Sequence, residues 1–516
     1  MIDPLAAFFG GLLVRAARVV VEASPYLLLG LATSAILRSM VGPARLRRVF
    51  GEGRWTGPVR AWAAATLLPV CSLGVLPVLR ELRRSGVRRD AVLTFALAAP
   101  MFNPLTLLTG FSYLGPGVMA RLTAASAMVS VVVGMAVGRS REAETVDGST
   151  PLPGRDRQAA GAVHFLREAS GPVWFDVGVG LIVACIVSAA VSPTWLAEGT
   201  NAGDPMAPAR LAAIAAPAYV SPEAGVVMLP EMVKFRQSAG AMLVLVVLGI
   251  GVTAGHLTWI GGAYGRAVVV RWLTATVVAT FLAAWAIESL DTPVGSINPD
   301  NDHYDALVSP ISHDHPSLVG SELGRIWERT GSGGLAAPVA LALSLAAGVA
   351  LRAGRLGPRS TFEDWSEGSD RQTEGVSAAI YERPLPRWLV WAIGASAGIT
   401  LFVVGGFMFF PSPDEAFRDM SVIRADYFGE IDAADVEVPI HHLDLWERQA
   451  SRLPIGAAIR FRRPDAEAQR LTQALLEAVR GLREATRLGD RSRARTLFRE
   501  AQTTYDGCRQ AYDVRF

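Results

Sequence analysis

The chain has 516 residues, 51% of them hydrophobic, with a mean hydropathy of +0.32 and a formal net charge of +2. So apolar a composition excludes an ordinary soluble protein and fits several membrane spans. The near-balanced charge, with no basic aromatic-rich module, gives nucleic acid no footing. Cys71, Cys185 and Cys508 cannot form a disulfide framework. Lys234 is the only lysine, so arginine carries nearly all the positive charge. The N-terminus runs into a long apolar stretch without a small-residue cleavage site, which predicts no cleavable signal peptide.

Segments near the roughly 20 apolar residues a spanning helix needs fall at 19–41, 61–84, 90–114, 117–138, 172–192, 209–231, 239–262, 266–289, 335–353 and 387–410. Two carry similar breaks. The first reads Pro69-Val70-Cys71-Ser72-Leu73-Gly74-Val75-Leu76-Pro77, then an Arg-rich stretch ending at Ser85-Gly86. The second runs from Tyr219 through Ser221, Glu223 and Gly225 to Pro230, then a basic stretch and Ser238-Ala239-Gly240. Pro100 and Asn103-Pro104 interrupt 90–114 as well. Gly and Pro at membrane depth expose backbone groups that lipid cannot satisfy, so such breaks sit inside protein or line a wet cavity. Paired breaks at matching places in two halves point to a transporter's binding site.

Arginine in short loops sets orientation. Arg45, Arg47, Arg48, Arg54 and Arg60 precede the first motif, and Arg80, Arg83, Arg84, Arg88 and Arg89 follow it, so both flanks are expected in the cytoplasm. That requires 61–84 to be a re-entrant hairpin. Segment 90–114 then goes out, and 117–138 returns to Arg139 and Arg141. Segment 172–192 goes out to a loop with Glu198 and Asp204 but no arginine, and the second hairpin enters from outside. The expected core at 1–290 is thus two inverted halves, about 1–140 and 171–290, each a span, a hairpin and two spans. The alternative makes both motifs kinked full spans, and Arg236 near an outside edge speaks for it. Residues 291–410 are expected to add a polar outside loop and two extra transmembrane helices.

Residues 411–516 differ in kind. Leu471, Leu475, Ala478, Leu482 and Ala485 form one apolar stripe, and Ala494, Leu497, Ala501, Tyr505, Cys508 and Tyr512 another. Leu488-Gly489-Asp490 is the turn between them. With shorter helices before Pro454, the tail predicts a small antiparallel four-helix bundle outside the membrane. The expected fold class is an all-α polytopic membrane protein with an inverted repeat of spanning and broken helices, plus this bundle.

From Pro69 to Asn103 the chain resembles the predicted permeases that include ArsP-type organoarsenical efflux proteins. The family's P-x-C-S-C-G-V-I-P stands here as Pro69 to Pro77. It is followed by Leu82-Arg83-Arg84-Ser85-Gly86 and by Ala99-Pro100-Met101-Phe102-Asn103. Glu22 to Gly30 resembles the family's opening helix, and Tyr219 to Pro230 its second-half motif. The resemblance covers roughly 17–290 and implies an inner-membrane efflux permease. Leu73 stands where the family has a second cysteine, so this motif offers at most one thiolate to a soft species such as trivalent arsenic. The end of the tail resembles a cytochrome c′ bundle, with Ala511 and Tyr512 in place of the second cysteine and the haem-ligating histidine. Attachment through two thioethers is therefore excluded there, and the bundle is read as haem-less.

These readings yield a substrate site of Cys71, Ser72, Gly74, Pro77 and Asn103 from the first half and Tyr219, Ser221 and Glu223 from the second. Gly74, Pro77, Gly225 and Pro230 shape it, while the hydroxyls and the amide bind or simply stabilise the breaks. Glu22 and Glu223 are ionisable groups in apolar sequence and are assigned to ion coupling; the bland reading puts both at water-facing ends. His303, His313 and His315 with Asp302 and Asp314 could bind a divalent metal, but a solvated loop is the simpler reading, and the diverging His441 and His442 are not read as ligands either. No P-loop or hydrolytic constellation is present. The expectation is a non-enzymatic permease in the lipid bilayer, moving a small solute or metalloid, without cofactor or resident metal. A periplasmic protein is a candidate partner of the bundle. The competing class is a membrane-anchored redox or metal-sensing protein whose tail is the working part.

Overall fold

The computed structural model describes residues 4–41, 43–51, 55–114, 116–138, 154–190, 206–234, 238–288, 319–320, 323–324, 326–327, 334–353, 403, 410–431, 436–462 and 464–514. The segment at 387–402 and the triad His303, His313 and His315 lie outside these residues.

The described elements are helical. In the first half, α1 spans Pro4–Ile36, α2 Pro43–Phe50, α3 Thr56–Ala65, α4 Val75–Arg84, α5 Arg89–Met101, α6 Pro104–Leu114 and α7 Pro116–Val137. In the second, α8 spans Gly154–Ala169, α9 Val173–Ala190, α10 Ala207–Ala215, α11 Pro222–Lys234, α12 Ala239–Val244, α13 Ala254–Tyr264 and α14 Arg266–Glu288. Helix α15 (Ala336–Arg352) packs on α1 and α8. Among the described residues, three helices are long and apolar enough to cross a membrane alone. Three bent pairs could add one span each: α5 with α6 at 47°, α8 with α9 at 44°, and α12 with α13 at 56°.

The first helix begins much earlier than the apolar pattern predicts. Arg15 and Arg18 interrupt that pattern, but the helix continues through them. Arg18 Nε donates to Glu22 Oε1 at 3.0 Å, one turn on, and Arg15 turns into the protein, 1% exposed. The proline positions also need correction. Pro77 lies in the first turn of α4, where a missing N–H costs little. Pro100 and Pro230 lie inside α5 and α11. The breaks themselves are the non-helical stretches 66–74, 102–103, 216–221 and 251–253. At the shorter two, the Asn103 amide oxygen accepts from Thr106 N at 2.9 Å and Thr253 Oγ1 accepts from His256 N at 3.4 Å, each starting a new helix.

The two halves correspond at a constant spacing of 150 residues. Gly30 pairs with Gly180, Pro58 with Pro208, Pro69 with Tyr219, Asn103 with Thr253 and Pro116 with Arg266. Equivalent helices α7 and α14 run antiparallel, because Arg271 near the start of α14 donates to the carbonyl of Val137 at the end of α7, at 3.5 Å. The repeat is therefore inverted. A close helix crossing recurs within it. A methyl on Gly134 of α7 would lie 2.7 Å from the Asp90 carbonyl oxygen of α5, and one on Gly240 of α12 would lie 3.0 Å from that of Ala284 in α14. Small residues let backbones approach in this way in membrane proteins. Helices α7 and α14 bury Ser126, Ser130, Thr276 and Thr280 while exposing Met128, Val132, Val278 and Leu282, apolar outward as lipid requires.

The tail forms α16 (Pro413–Glu430), α17 (Glu437–Ile459), α18 (Ala466–Arg487) and α19 (Arg491–Ala511). Consecutive helices pack together, and Tyr505 Oη closes the bundle by donating to the Phe417 carbonyl at 2.7 Å. Ser412 and Glu415 form a capping box, and Asp465 and Asp490 cap α18 and α19. Gly489 takes a φ of 71° at the turn between them. The helices expected before Pro454 are α16 and α17, and α17 runs on through the proline instead of ending ahead of it.

Candidate functional site

The two long breaks meet. Backbone N of Gly74 donates to Cys71 Sγ at 3.3 Å, which curls the first break around its cysteine. The thiol of Cys71 faces the hydroxyl of Tyr219 in the second break. Both residues are fully buried. Ser221 Oγ accepts from Ala224 N at 3.3 Å and so helps start α11. Glu223, in the first turn of that helix, lies within hydrogen-bonding reach of the Tyr26 hydroxyl on α1. Its carboxylate faces the positive end of the helix dipole.

Helix α1 lies directly against the first break. A methyl on Gly30 would stand 1.8 Å from the Gly74 carbonyl oxygen, and one on Gly74 would stand 2.4 Å from that of Tyr26. Only glycine at both positions allows this approach. It brings Arg15, Glu22 and Tyr26 to the meeting point. Arg15 Nη2 donates to the Tyr219 carbonyl at 2.8 Å, and Cys185 of α9 lies near the same guanidinium.

Several polar atoms here are buried without a protein partner: Arg15 Nε and Nη1, Ser72 Oγ, Tyr219 Oη and Glu22 Oε2. Each such group costs on the order of 1–3 kcal/mol if left dry. Native interiors rarely leave them so without water or a ligand. A cluster on three chain segments can therefore hold water or a polar solute.

Of the sequence-predicted residues, Cys71, Ser72, Gly74, Tyr219, Ser221 and Glu223 come together, with Glu22 alongside. Pro77 starts α4 and shapes the break. Asn103 belongs to the shorter break and is engaged with Thr106, its Nδ2 unpartnered. Arg15, Tyr26 and His256 were missed. Arg15 was legible as a charge in the apolar run Leu12-Leu13-Val14-Arg15. His256 is fully buried with both ring nitrogens unpartnered and packs edge-on to Trp272 at 6.4 Å; only the repeat, which sets it opposite Thr106, would have marked it.

Beyond the breaks, α4 is held by charge. Arg80 pairs with Asp176 at 2.7 Å, Arg84 with Glu168 at 3.3 Å, and Glu81 lies 3.7 Å from Arg38 and 3.8 Å from His164. Asp176 also accepts from Thr258 at 2.8 Å. In the tail, His442 bonds Glu430 at 3.0 Å. Among the described residues, no group of three or more His, Cys, Asp or Glu is placed to hold a metal.

An inverted pair of broken helices around a buried polar cluster, sheathed in apolar helices, is the architecture of a multi-pass membrane permease. The chain belongs to the predicted permease family ArsP_1, which it matches over residues 9–289. It is also 25% identical over 197 residues to the UPF0718 protein YcgR of Bacillus subtilis (strain 168). That match covers 36% of this chain and 66% of the relative, just under two thirds of its length. No solved structure matches the chain significantly.

Proposed function

We propose that this permease exports a small solute or metalloid across the inner membrane by secondary transport. The observation that carries the reading is the meeting of the two inverted breaks at Cys71 and Tyr219. Ser72, Ser221 and Glu223 belong to the same two breaks or the helix start beside them, and Asn103 of the shorter break completes the site in this reading. Rocking one half against the other would expose such a site alternately to each side. Glu22 and Glu223 are the ion-coupling carboxylates in this reading, since membrane-embedded ionisable groups commonly carry protons or ions. The core would occupy about 1–290, with the bundle of 411–516 in the periplasm, where it can receive a protein partner.

Inside-out vesicles from cells expressing the protein, supplied with arsenite, methylarsenite or arsenate and assayed by mass spectrometry, test the reading. Accumulation above that of vector vesicles is expected for at least one of the three, and its loss in Glu223→Gln at equal expression. Accumulation equal to vector for all three sinks metalloid export. Full accumulation by Glu223→Gln sinks the coupling role.

A further inference from the structure

Among the described residues, Arg15 is a buried charge that the fold leaves largely unsatisfied. It is 1% exposed, and of its hydrogen-bonding nitrogens only Nη2 has an acceptor, the Tyr219 carbonyl at 2.8 Å. Nε and Nη1 are buried and unpartnered. A buried charge is costly unless it is paired and hydrogen-bonded. The nearest carboxylate does not serve it alone: Glu22 gives Oε1 to Arg18 at 3.0 Å. Glu22 is thus shared with Arg18, and Arg15 Nε and Nη1 stay without a protein acceptor beside the meeting of the breaks. Glu223, the other carboxylate of the cluster, lies beside Tyr26.

The free edge of the Arg15 fork has a chemistry of its own. Planar guanidinium groups match the paired oxygens of carboxylate- and phosphate-like anions. Ser72 Oγ of the first break has no protein partner, and Tyr219 Oη of the second faces only the Cys71 thiol. They supply additional donors for an oxygen-bearing anion. We infer that Arg15 is the anion-recognising residue of this permease, and that its solute is a small oxyanion held by Arg15 between the two breaks. The inference rests on the permease reading of the same cluster. It assigns Arg15 a binding role, distinct from the coupling role of Glu22 and Glu223.

Binding is measured without transport, so that the two readings fail separately. The full-length protein in zwitterionic lipid nanodiscs is titrated with sodium phosphate, sulfate or arsenate at constant ionic strength held by chloride, and thermal unfolding is followed. Wild type and Arg121→Gln, whose arginine is exposed and bonds its own helix, are expected to show the same saturable stabilisation by at least one of the three. Arg15→Gln is expected to bind that anion at least tenfold more weakly. Arg15→Lys keeps the buried charge should Arg15→Gln fail to fold, and is expected to bind more weakly than wild type because it lacks the fork. No saturable response in wild type to any of the three overturns the inference, as does undiminished affinity in either Arg15 variant. Oxyanion binding without vesicle accumulation would instead count against the permease reading alone.

Discussion

Arg15 Nη2 and the carbonyl of Tyr219 are joined at 2.8 Å across 204 residues of sequence. The bond ties the opening helix of the first half to the break of the second. The candidate site therefore belongs to neither half alone, and a perturbation on α1 reaches the second break directly.

The same helix depends on its glycines. Gly30→Ala sets a methyl 1.8 Å from a backbone oxygen, a clash that no side-chain rotation relieves. A loss of about 2 kcal/mol or more is expected, read as a lower unfolding temperature in detergent. Gly178→Ala, inside α9 where nothing lies within 4 Å, should leave stability unchanged or raise it by up to about 1 kcal/mol. Equal behaviour of the two variants would refute the close approach of α1 to the first break.

The Arg80–Asp176 pair holds α4 to α9 with both side chains mostly buried. Removing one partner strands the other charge, so Arg80→Gln and Asp176→Asn should each destabilise the protein, while the double variant costs less than their sum. A coupling of about 1–3 kcal/mol is expected from the double-mutant cycle. Strict additivity in denaturation midpoints would show that the pair contributes nothing.

Burial pushes the Cys508 thiol up to about 11 from its ordinary 9.0. The folded tail therefore favours the neutral thiol. Its contribution to stability is complete below pH 9 and is lost as pH rises through about 11. In full-length protein carrying Cys71→Ala and Cys185→Ala, reaction with a thiol reagent should stay slow at pH 8 and keep rising toward pH 11. A rate that levels off near pH 9 would show an exposed thiol and an unpacked bundle.

Orientation is open to direct labelling. Arg45, Met206 and Leu488 are exposed, unlike Ser238, which is fully buried and bonded to Glu288 at 2.7 Å. Single cysteines at the exposed three, in a cysteine-free background, are treated in cells with an impermeant maleimide. Met206→Cys and Leu488→Cys should label and Arg45→Cys should not. Labelling at Arg45→Cys alone would turn the whole arrangement around.

The breaks were readable because Gly, Pro and Ser interrupt apolar runs at matching places, and backbone chemistry leaves such runs few alternatives. The stripes of α18 and α19 were readable for the corresponding reason, a regular period. What escaped was decided by tertiary contact. Arg15 counts as a break in an apolar count, yet it lies inside a continuous helix, where the Tyr219 carbonyl accepts a hydrogen bond from its buried guanidinium. Pro230 and Pro454 look like helix ends, but packing carries α11 and α17 through them. His256 carries no local signal, and its burial against Trp272 becomes visible only when the two halves are aligned.

The glycine that permits the close crossing within each half sits on opposite partners, on α7 at Gly134 in the first and on α12 at Gly240 in the second. Notch and ridge have changed places between the copies. Mating α5 with α14 would leave that crossing without its glycine, and mating α12 with α7 would supply two where one suffices. Each half thus carries its own key for its own lock, a steric bias against equivalent helices of the two halves exchanging partners.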